Sequence, residues 1–274
     1  MIRLALVLLA GCSSFIDNKA ADSTLKILAK SAEAAGRESD IALARDAMPG
    51  GLFQLEAFAL AYPDHPAFRE MHTDALCQYA TGFVYDDWEE ASLTGKDAAP
   101  LAERLVPLLE RCAAANRARL PAGWTVEATT RAQVPAVLWL ASVGAVQLAL
   151  SPMAHLAEIP QLQAMLARCA ALAPGLRDAG AETLTAVLVA SRAQMFGGPD
   201  GSAEFARARA LAPYALLVDV MFGRTRRTRP ELEAALNAAL AVDLAKWPEH
   251  RLINELARKK AKRYLAAAAT LLRE

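Results

Sequence analysis

The pattern of apolar and polar positions predicts a chain built from helices. Apolar residues recur every three to four positions in one segment after another, as at Leu25, Leu28 and Ala32 of a predicted helix over residues 23–38. No segment keeps the alternation of apolar and polar residues that a half-buried strand shows. The pattern predicts about ten or eleven helices of ordinary length.

Proline and glycine mark the breaks between these helices, since both residues end one helix and begin the next. The predicted breaks lie at Pro49-Gly50-Gly51, Tyr62-Pro63-Asp64, Leu93-Thr94-Gly95, Pro121-Ala122-Gly123, Ser151-Pro152, Ala173-Pro174-Gly175, Gly197-Gly198-Pro199-Asp200-Gly201, Ala212-Pro213, Arg229-Pro230 and Trp247-Pro248.

Several helices end in a similar phrase of small residues and Leu before Pro. Two of these endings are Ala171-Leu172-Ala173-Pro174 and Ala210-Leu211-Ala212-Pro213. Tetratricopeptide repeats end their second helix in this way, with a period near 34 residues. We therefore predict an all-α fold of tetratricopeptide-like helical hairpins stacked into a compact solenoid. The alternative is an irregular all-α domain.

The first residues of the chain predict a secretory signal. A charged start leads into the short apolar run Leu4–Ala10, which is far too short to cross a bilayer. The run ends at Leu9-Ala10-Gly11-Cys12, which resembles the bacterial lipobox, where the Cys becomes the lipid-carrying N-terminus. The alternative is a chance Cys after an ordinary signal. We expect a signal peptide over residues 1–11, a lipidated tether over 12–22 and one all-α domain over 23–274.

One segment, Val134–Leu150, carries no charged residue. Its length is borderline for a membrane span. Pro135, Ser142 and Gln147 argue against a span, and a helix that is apolar all round is typical of the centre of a helical protein. We predict a buried helix whose small residues leave room for a cavity or a close helix contact.

Composition narrows the function classes. Hydrophobic residues make up 54% and aromatic residues 6% of the chain, and 30 Lys plus Arg balance 30 Asp plus Glu. The chain has no net positive charge to attract nucleic acid and few aromatic residues on which bases could stack, so nucleic-acid binding is not expected. Besides Cys12 there are Cys77, Cys112 and Cys169, each in an apolar helical setting. We expect small buried thiols there. One disulfide is the alternative, and the sequence does not choose its pair.

The sequence contains no recognisable catalytic or metal-binding motif, so we predict neither an enzyme nor a cofactor. The acidic run Asp86–Glu90 is interpreted as a solvated helix start. For each of two basic stretches the preferred interpretation is solvated surface charge, and the alternative is a binding site. One contains the candidate partner-binding residues Arg224, Arg226 and Arg227, and the other runs from Arg258 to Arg263.

Several segments in order resemble the T component of tripartite ATP-independent periplasmic (TRAP) transporters, the TatT lipoprotein family. The likeness runs from about Leu25 to Leu272. Its pieces are the lipobox at Cys12, Gln78–Val84, Trp139–Ala145, the Gly197-Gly198 turn before Ala203–Ala208, and Arg251–Ala261. Val143 departs from the aromatic residue expected beside Gly144, and the repeats are eroded.

The resemblance implies a tetratricopeptide-like protein that self-associates, commonly as a trimer, binds the extracytoplasmic solute receptor and helps to pass a ligand of hydrophobic character. We therefore expect a lipid-anchored accessory protein facing the periplasm of a bacterium, with no chemistry of its own. The candidate residues of an apolar channel are Trp139, Ser142, Val143, Val146 and Gln147. The alternative is a generic envelope scaffold whose helical hairpins bind a protein partner in a groove.

Overall fold

The computed structural model describes residues 2–272, and side chains from residue 19 onward. Within this range the chain forms helices joined by short turns and contains no β-strand, so the all-α prediction is confirmed. The α-helices are α1 (Ile2–Gly36), α2 (Ile41–Ala61), α3 (Pro66–Tyr79), α4 (Tyr85–Leu93), α5 (Ala99–Arg117), α6 (Val134–Leu150), α7 (Pro152–His155), α8 (Ile159–Leu172), α9 (Leu176–Phe196), α10 (Ser202–Leu211), α11 (Leu216–Arg224), α12 (Arg229–Leu240), α13 (Arg251–Ala266) and α14 (Ala268–Leu272). A π-helical segment, Ala80–Val84, joins α3 directly to α4.

Proline sets many of these helix boundaries, as predicted. It occupies the first turn of α3, α5, α6, α7, α8 and α12. The first-turn position suits proline because the missing N–H has no intrahelical partner there, and because the fixed φ is already helical.

One predicted break is wrong. Helix α2 runs without interruption through Pro49-Gly50-Gly51. A proline inside a helix removes one backbone hydrogen bond and two glycines weaken the helix further. Packing along its length against α3 holds α2 together in spite of this local preference.

The first helix is longer than predicted. It was expected over residues 23–38, whereas α1 spans Ile2–Gly36, so residues 19–22 of the expected tether are helical. The side chains of residues 1–18, including the candidate lipidation site Cys12 and the signal segment, lie outside the described residues. The C-terminal end of α1 contacts α13 and the turn at Pro248–His250.

Helices that follow one another in sequence pack together. The contacting pairs are α2 with α3, α5 with α6, α8 with α9, α9 with α10, and α11 with α12. The buried side chains form three clusters, centred on α6, on the α11–α13 region, and on the contact between α9 and α10. Sequential helix pairs are what a hairpin architecture requires. Their stacking into a tetratricopeptide-like solenoid stays a prediction.

Helix α6 lies in the largest buried cluster. Nine of its 17 residues are buried, and it packs against α5, α8 and α9. Together with the preceding turn, it is the one helix in the described range that is long and apolar enough to cross a membrane. Half of that segment is buried inside the protein, which agrees with the prediction of a core helix.

A disulfide joins Cys77 of α3 to Cys112 of α5. Both residues are fully buried, so the expectation of free thiols is wrong at these two positions. The bond was missed because the pairing depends on how α3 and α5 pack together, 35 residues apart in sequence. Cys169 remains a buried free thiol, as expected, and burial raises its pKa to about 12.

Candidate functional site: the cleft and turn beside helix α6

A small cleft opens between α5, α6 and α8. Its volume is about 180 Å³. Leu140, Val143, Leu162 and Met165 give it an apolar floor, and Gly144 keeps that floor open because it has no side chain. The polar side chains around it are Arg117, Gln147, His155, Glu158 and Gln161. An apolar cavity of about 150 Å³ accepts a ring the size of benzene, so the cleft fits one ring or a short alkyl chain.

The structure brings two of the five candidate channel residues to this cleft. Val143 and Gln147 line it, whereas Trp139, Ser142 and Val146 lie on other sides of α6. Ser142 donates its hydroxyl hydrogen to the carbonyl of Leu138 at 2.8 Å, and Val146 is buried in the core. The five residues therefore do not form one lining in the described protein.

Trp139 belongs to a polar junction instead. Its indole N–H donates to Oδ1 of Asp74 at 2.9 Å, and Arg177 donates to Oδ2 of the same carboxylate at 2.8 Å. The Arg177 guanidinium lies over the Trp139 ring, 4.4 Å from its centroid, which is a cation–π contact. This junction ties α3, α6 and α9 together. Sequence reasoning does not find Asp74, because its partners are far away along the chain.

The residue that completes this junction lies in a left-handed turn. Arg177, Asp178 and Ala179 have φ angles of 51°, 58° and 56°, and Gly175, two residues before Arg177, has 76°. Three successive non-glycine residues in this region are rare, and each costs about 1–2 kcal/mol. Such strain persists only where the surroundings hold it, and it concentrates at functional positions.

Contacts on both sides hold the turn in place. Arg177 is fixed by Asp74 and Trp139, and Asp178 accepts a hydrogen bond from the Tyr214 hydroxyl and lies 3.7 Å from Nδ1 of His250. Ala179 is fully buried. The turn therefore lies where the α6 cluster meets the C-terminal helices. It follows closely after α8, the helix whose first half lines the cleft.

Comparison with known families decides what this helical protein is. A family model described as TRAP transporter T-component matches residues 37–272. The chain belongs to this family. Among curated proteins none matches the sequence significantly. Family membership makes the chain an accessory component of a TRAP transport system of the bacterial cell envelope, and it confirms the resemblance inferred from the sequence.

The T-component uses its candidate partner-binding arginines largely for internal contacts. Arg226 pairs with Asp200 at 2.8 Å, donates to the Asp200 carbonyl and lies over the Phe222 ring, 4.1 Å from its centroid. Arg227 donates to the carbonyl of Ala193 at 2.7 Å and remains exposed. Arg224 lies over the Tyr264 ring. A polar pocket of about 250 Å³ lies around Arg226 and Arg227.

The acidic run and the second basic stretch of the T-component meet in a buried ion cluster, so their interpretation as solvated charges is wrong. Asp86 of α4 is fully buried and lies 2.7 Å from Arg263, 2.9 Å from Lys260 and 3.0 Å from Lys259, all on α13. Glu89 of α4 contacts Arg263 and Lys260 and accepts the Tyr264 hydroxyl hydrogen at 2.6 Å.

The charges of this cluster stabilise one another. Burial alone would raise the pKa of Asp86, but Lys260 and Arg263 outweigh it and hold that pKa well below its usual range. The same two cations lower the pKa of Glu89 against its burial. The cluster lies directly after the π-helical segment, and its function in the described protein is to fasten α4 to α13.

Proposed function

We propose that this T-component is a lipid-anchored periplasmic protein that binds the extracytoplasmic solute receptor of its TRAP system and shelters a small hydrophobic ligand. The family match over residues 37–272 carries the transport role. The lipobox-like Leu9-Ala10-Gly11-Cys12 supports the anchor, and Cys12 is the residue we expect to carry the lipid. The Cys77–Cys112 disulfide supports an oxidising compartment, since such bonds persist outside the cytoplasm.

The cleft supports the ligand part of the proposal. Its apolar floor next to Gly144, with Arg117 and Gln147 at the sides, suits a short apolar group attached to a polar or anionic end. At about 180 Å³ it is smaller than the roughly 300–1,000 Å³ of typical ligand sites. We therefore propose a bound fragment of ring size rather than a long chain within one protomer.

The first experiment is a pull-down of tagged full-length protein from native membranes. Recovery of a periplasmic solute receptor with its permease supports the receptor-binding role. Recovery of envelope assembly or secretion proteins without a receptor overturns it in favour of a generic scaffold. Self-association, for which the resemblance implies trimers, is measured on the same material by light scattering after detergent extraction.

The pocket around Arg227 is our proposed receptor contact, because Arg227 is exposed while Arg226 holds the surrounding turn. Arg227→Glu should lower receptor recovery in the pull-down by about tenfold, as expected when a rim charge is reversed. Arg69→Glu, on the exposed side of α3, is the matched control and should leave recovery unchanged. Equal recovery with both variants rejects this surface.

The ligand proposal is tested with indole as the probe, by saturation-transfer NMR on the purified full-length protein. Gly144→Leu fills the cleft and should abolish the signal. Ala149→Leu, on the exposed side of the same helix, should leave it intact. A signal that survives Gly144→Leu would place the probe elsewhere and reject the cleft as the site.

A further inference from the structure

The cleft between α5, α6 and α8 contains one cation that has no partner. Three of its lining side chains are charged or titratable, namely Arg117, His155 and Glu158. His155 and Glu158 form a hydrogen bond with each other, with 3.1 Å between Nδ1 and Oε1. In the part of the chain that the structure describes, no side chain or carbonyl pairs with the Arg117 guanidinium. The cleft therefore presents one unpaired positive charge to a ligand.

Two amide side chains add hydrogen-bonding groups to the cleft. Gln147 lies in the last turn of α6 and Gln161 in the first turn of α8, and both line the cleft. Neither side chain forms a hydrogen bond among the described residues. The Trp124 indole N–H, in contrast, already donates to Oγ1 of Thr129 at 3.2 Å. The polar groups left for a ligand are thus one guanidinium and two amides, which together supply more donors than acceptors.

The floor of the cleft is apolar and well packed. Its four side chains, Leu140, Val143, Leu162 and Met165, are each no more than 9% exposed. An apolar group that lies on them displaces water from the cleft and gains free energy in proportion to the area it covers. It also lowers the effective dielectric constant next to Arg117, which strengthens an ion pair formed there. A ligand with both an apolar body and an anionic end therefore gains more than either part alone.

Charge and size narrow the class of anion. One guanidinium balances one negative charge, and the Glu158 carboxylate in the same cleft opposes a second. A phosphate monoester carries nearly two negative charges at neutral pH, so it fits this cleft poorly. The planar fork of arginine matches the two oxygens of a carboxylate. At about 180 Å³ the cleft accepts one ring or a branched alkyl group beside that carboxylate.

We infer that the cleft binds a small organic monocarboxylate with an apolar body of ring size, and that Arg117 binds the carboxylate and selects it over a neutral molecule of the same shape. The apolar floor holds the ring, and the amides of Gln147 and Gln161 supply further donors along the cleft. This inference rests on the proposed ligand-sheltering function and names the class of ligand.

The position of Arg117 within its helix has a second physical effect. Arg117 lies in the last turn of α5, where a cation interacts favourably with the helix dipole. That interaction stabilises the folded protein, but it does not distinguish an anionic ligand from a neutral one. Selectivity between an anion and its neutral counterpart therefore identifies a binding role. Arg111, an exposed arginine on the same helix that does not line the cleft, provides the matched control.

Benzoate and benzamide test the inference, because they have nearly the same shape and differ in charge. Saturation-transfer NMR titrations of the full-length protein at neutral pH give a dissociation constant for each probe. We expect benzoate to bind about fivefold more tightly than benzamide, an advantage between that of an exposed ion pair and that of a buried charged hydrogen bond. Arg117→Gln should remove this advantage, whereas Arg111→Gln should retain it. Thermal unfolding without a probe verifies that both variants fold.

The outcomes separate this inference from the proposal on which it rests. If indole and benzamide bind but benzoate binds no more tightly, the carboxylate assignment is overturned and the sheltering of an apolar ligand stands. An advantage of benzoate that survives Arg117→Gln, or benzoate binding that survives Gly144→Leu, also overturns the assignment. Absence of binding by all three probes overturns both. Added salt should reduce the advantage of benzoate in the unsubstituted protein, because screening weakens its contact with Arg117.

Discussion

Arg177 lies over the indole ring of Trp139, with its guanidinium carbon 4.4 Å from the ring centroid, while both side chains donate to the carboxylate of Asp74. Arg177 reaches this position from a backbone with φ of 51°. A right-handed backbone at Arg177 would point the side chain elsewhere. The junction of α3, α6 and α9 and the left-handed turn are therefore one arrangement, in which tertiary contacts hold a locally unfavourable conformation.

The strain in this turn is measurable with two alanines. Ala179 and Ala186 are both fully buried in the same cluster, but only Ala179 has a positive φ, of 56°. Ala186→Gly loses a buried methyl group and helix propensity, and we expect a loss of about 2 kcal/mol. Ala179→Gly loses the same methyl group but relieves the left-handed strain, so its free energy of unfolding should change by less than about 1 kcal/mol.

Urea unfolding of both variants gives this comparison directly. The difference between the two losses, which should exceed about 1 kcal/mol, is the quantity of interest, since the lost methyl group cancels. Equal destabilisation by the two substitutions would show that the turn stores no strain.

The ion cluster predicts a dependence of stability on pH. The pKa values of Asp86 and Glu89 are lowered in the folded protein from their ordinary values of 3.8 and 4.5. Groups with a lowered folded-state pKa stabilise the protein above their ordinary pKa, and this contribution is lost as the pH falls towards the folded-state value. We expect stability to be constant between pH 6 and pH 7 to within about 1 kcal/mol and to fall steeply below about pH 4.5.

Asp86→Asn tests the origin of this loss. Removing one partner of a buried ion cluster leaves charges uncompensated, and we expect a loss of about 3–5 kcal/mol at pH 7. The difference from the unsubstituted protein should shrink progressively below pH 4, because the unfolded chain takes up a proton at Asp86 there while the lowered folded-state pKa keeps the buried carboxylate charged. Glu110→Gln, on the exposed side of α5, should leave stability unchanged at both pH values.

The disulfide predicts sensitivity to reduction. Closing the 35-residue separation between Cys77 and Cys112 restricts the unfolded chain, and its removal should cost about 2–4 kcal/mol. The variant with both residues changed to Ala should therefore unfold at a lower temperature and no longer respond to dithiothreitol. Cys169→Ala is the control and should keep the full response, since Cys169 is not bonded. A response that persists in the double variant would exclude the Cys77–Cys112 bond as its source.

Features set by local sequence could be predicted, and features set by distant contacts could not. The helical class, the proline-marked boundaries and the burial of α6 follow from residue type and period, which act within a few positions. The pairing of Asp86 with Arg263 joins residues 177 positions apart, so neither run alone distinguishes a buried partner from a solvated charge.

The continuity of α2 and the turn at Arg177 could not be predicted for a related reason. The residues Pro49-Gly50-Gly51 favour a break, yet packing on α3 keeps the helix intact. Arg177, Asp178 and Ala179 have no preference for a left-handed backbone, so only the contacts around them explain it. Helix α6 lines the cleft, but which side of the helix faces it depends on how α5 and α8 are placed.

The turn between α9 and α10 contains two glycines that are required for different reasons. Gly197 and Gly201 have nearly the same φ, 76° and 77°, so alanine is strained at both positions. At Gly197 an added Cβ meets nothing within 4 Å, and we expect Gly197→Ala to cost about 1 kcal/mol. At Gly201 the added atom lies 2.8 Å from the carbonyl oxygen of Ala186, which belongs to the backbone of α9 and cannot rotate away.

Gly201→Ala should therefore cost about 3 kcal/mol or more, because it adds a backbone clash to the same strain. Thermal unfolding of both variants measures the difference between their stabilities. Because both share the left-handed strain, this difference is the cost of the backbone contact between α10 and α9. Since Asp200 next to Gly201 also holds Arg226, Gly201→Ala should lower receptor recovery if the Arg227 pocket is the docking surface. Gly197→Ala, with the strain but without the clash, should leave recovery intact.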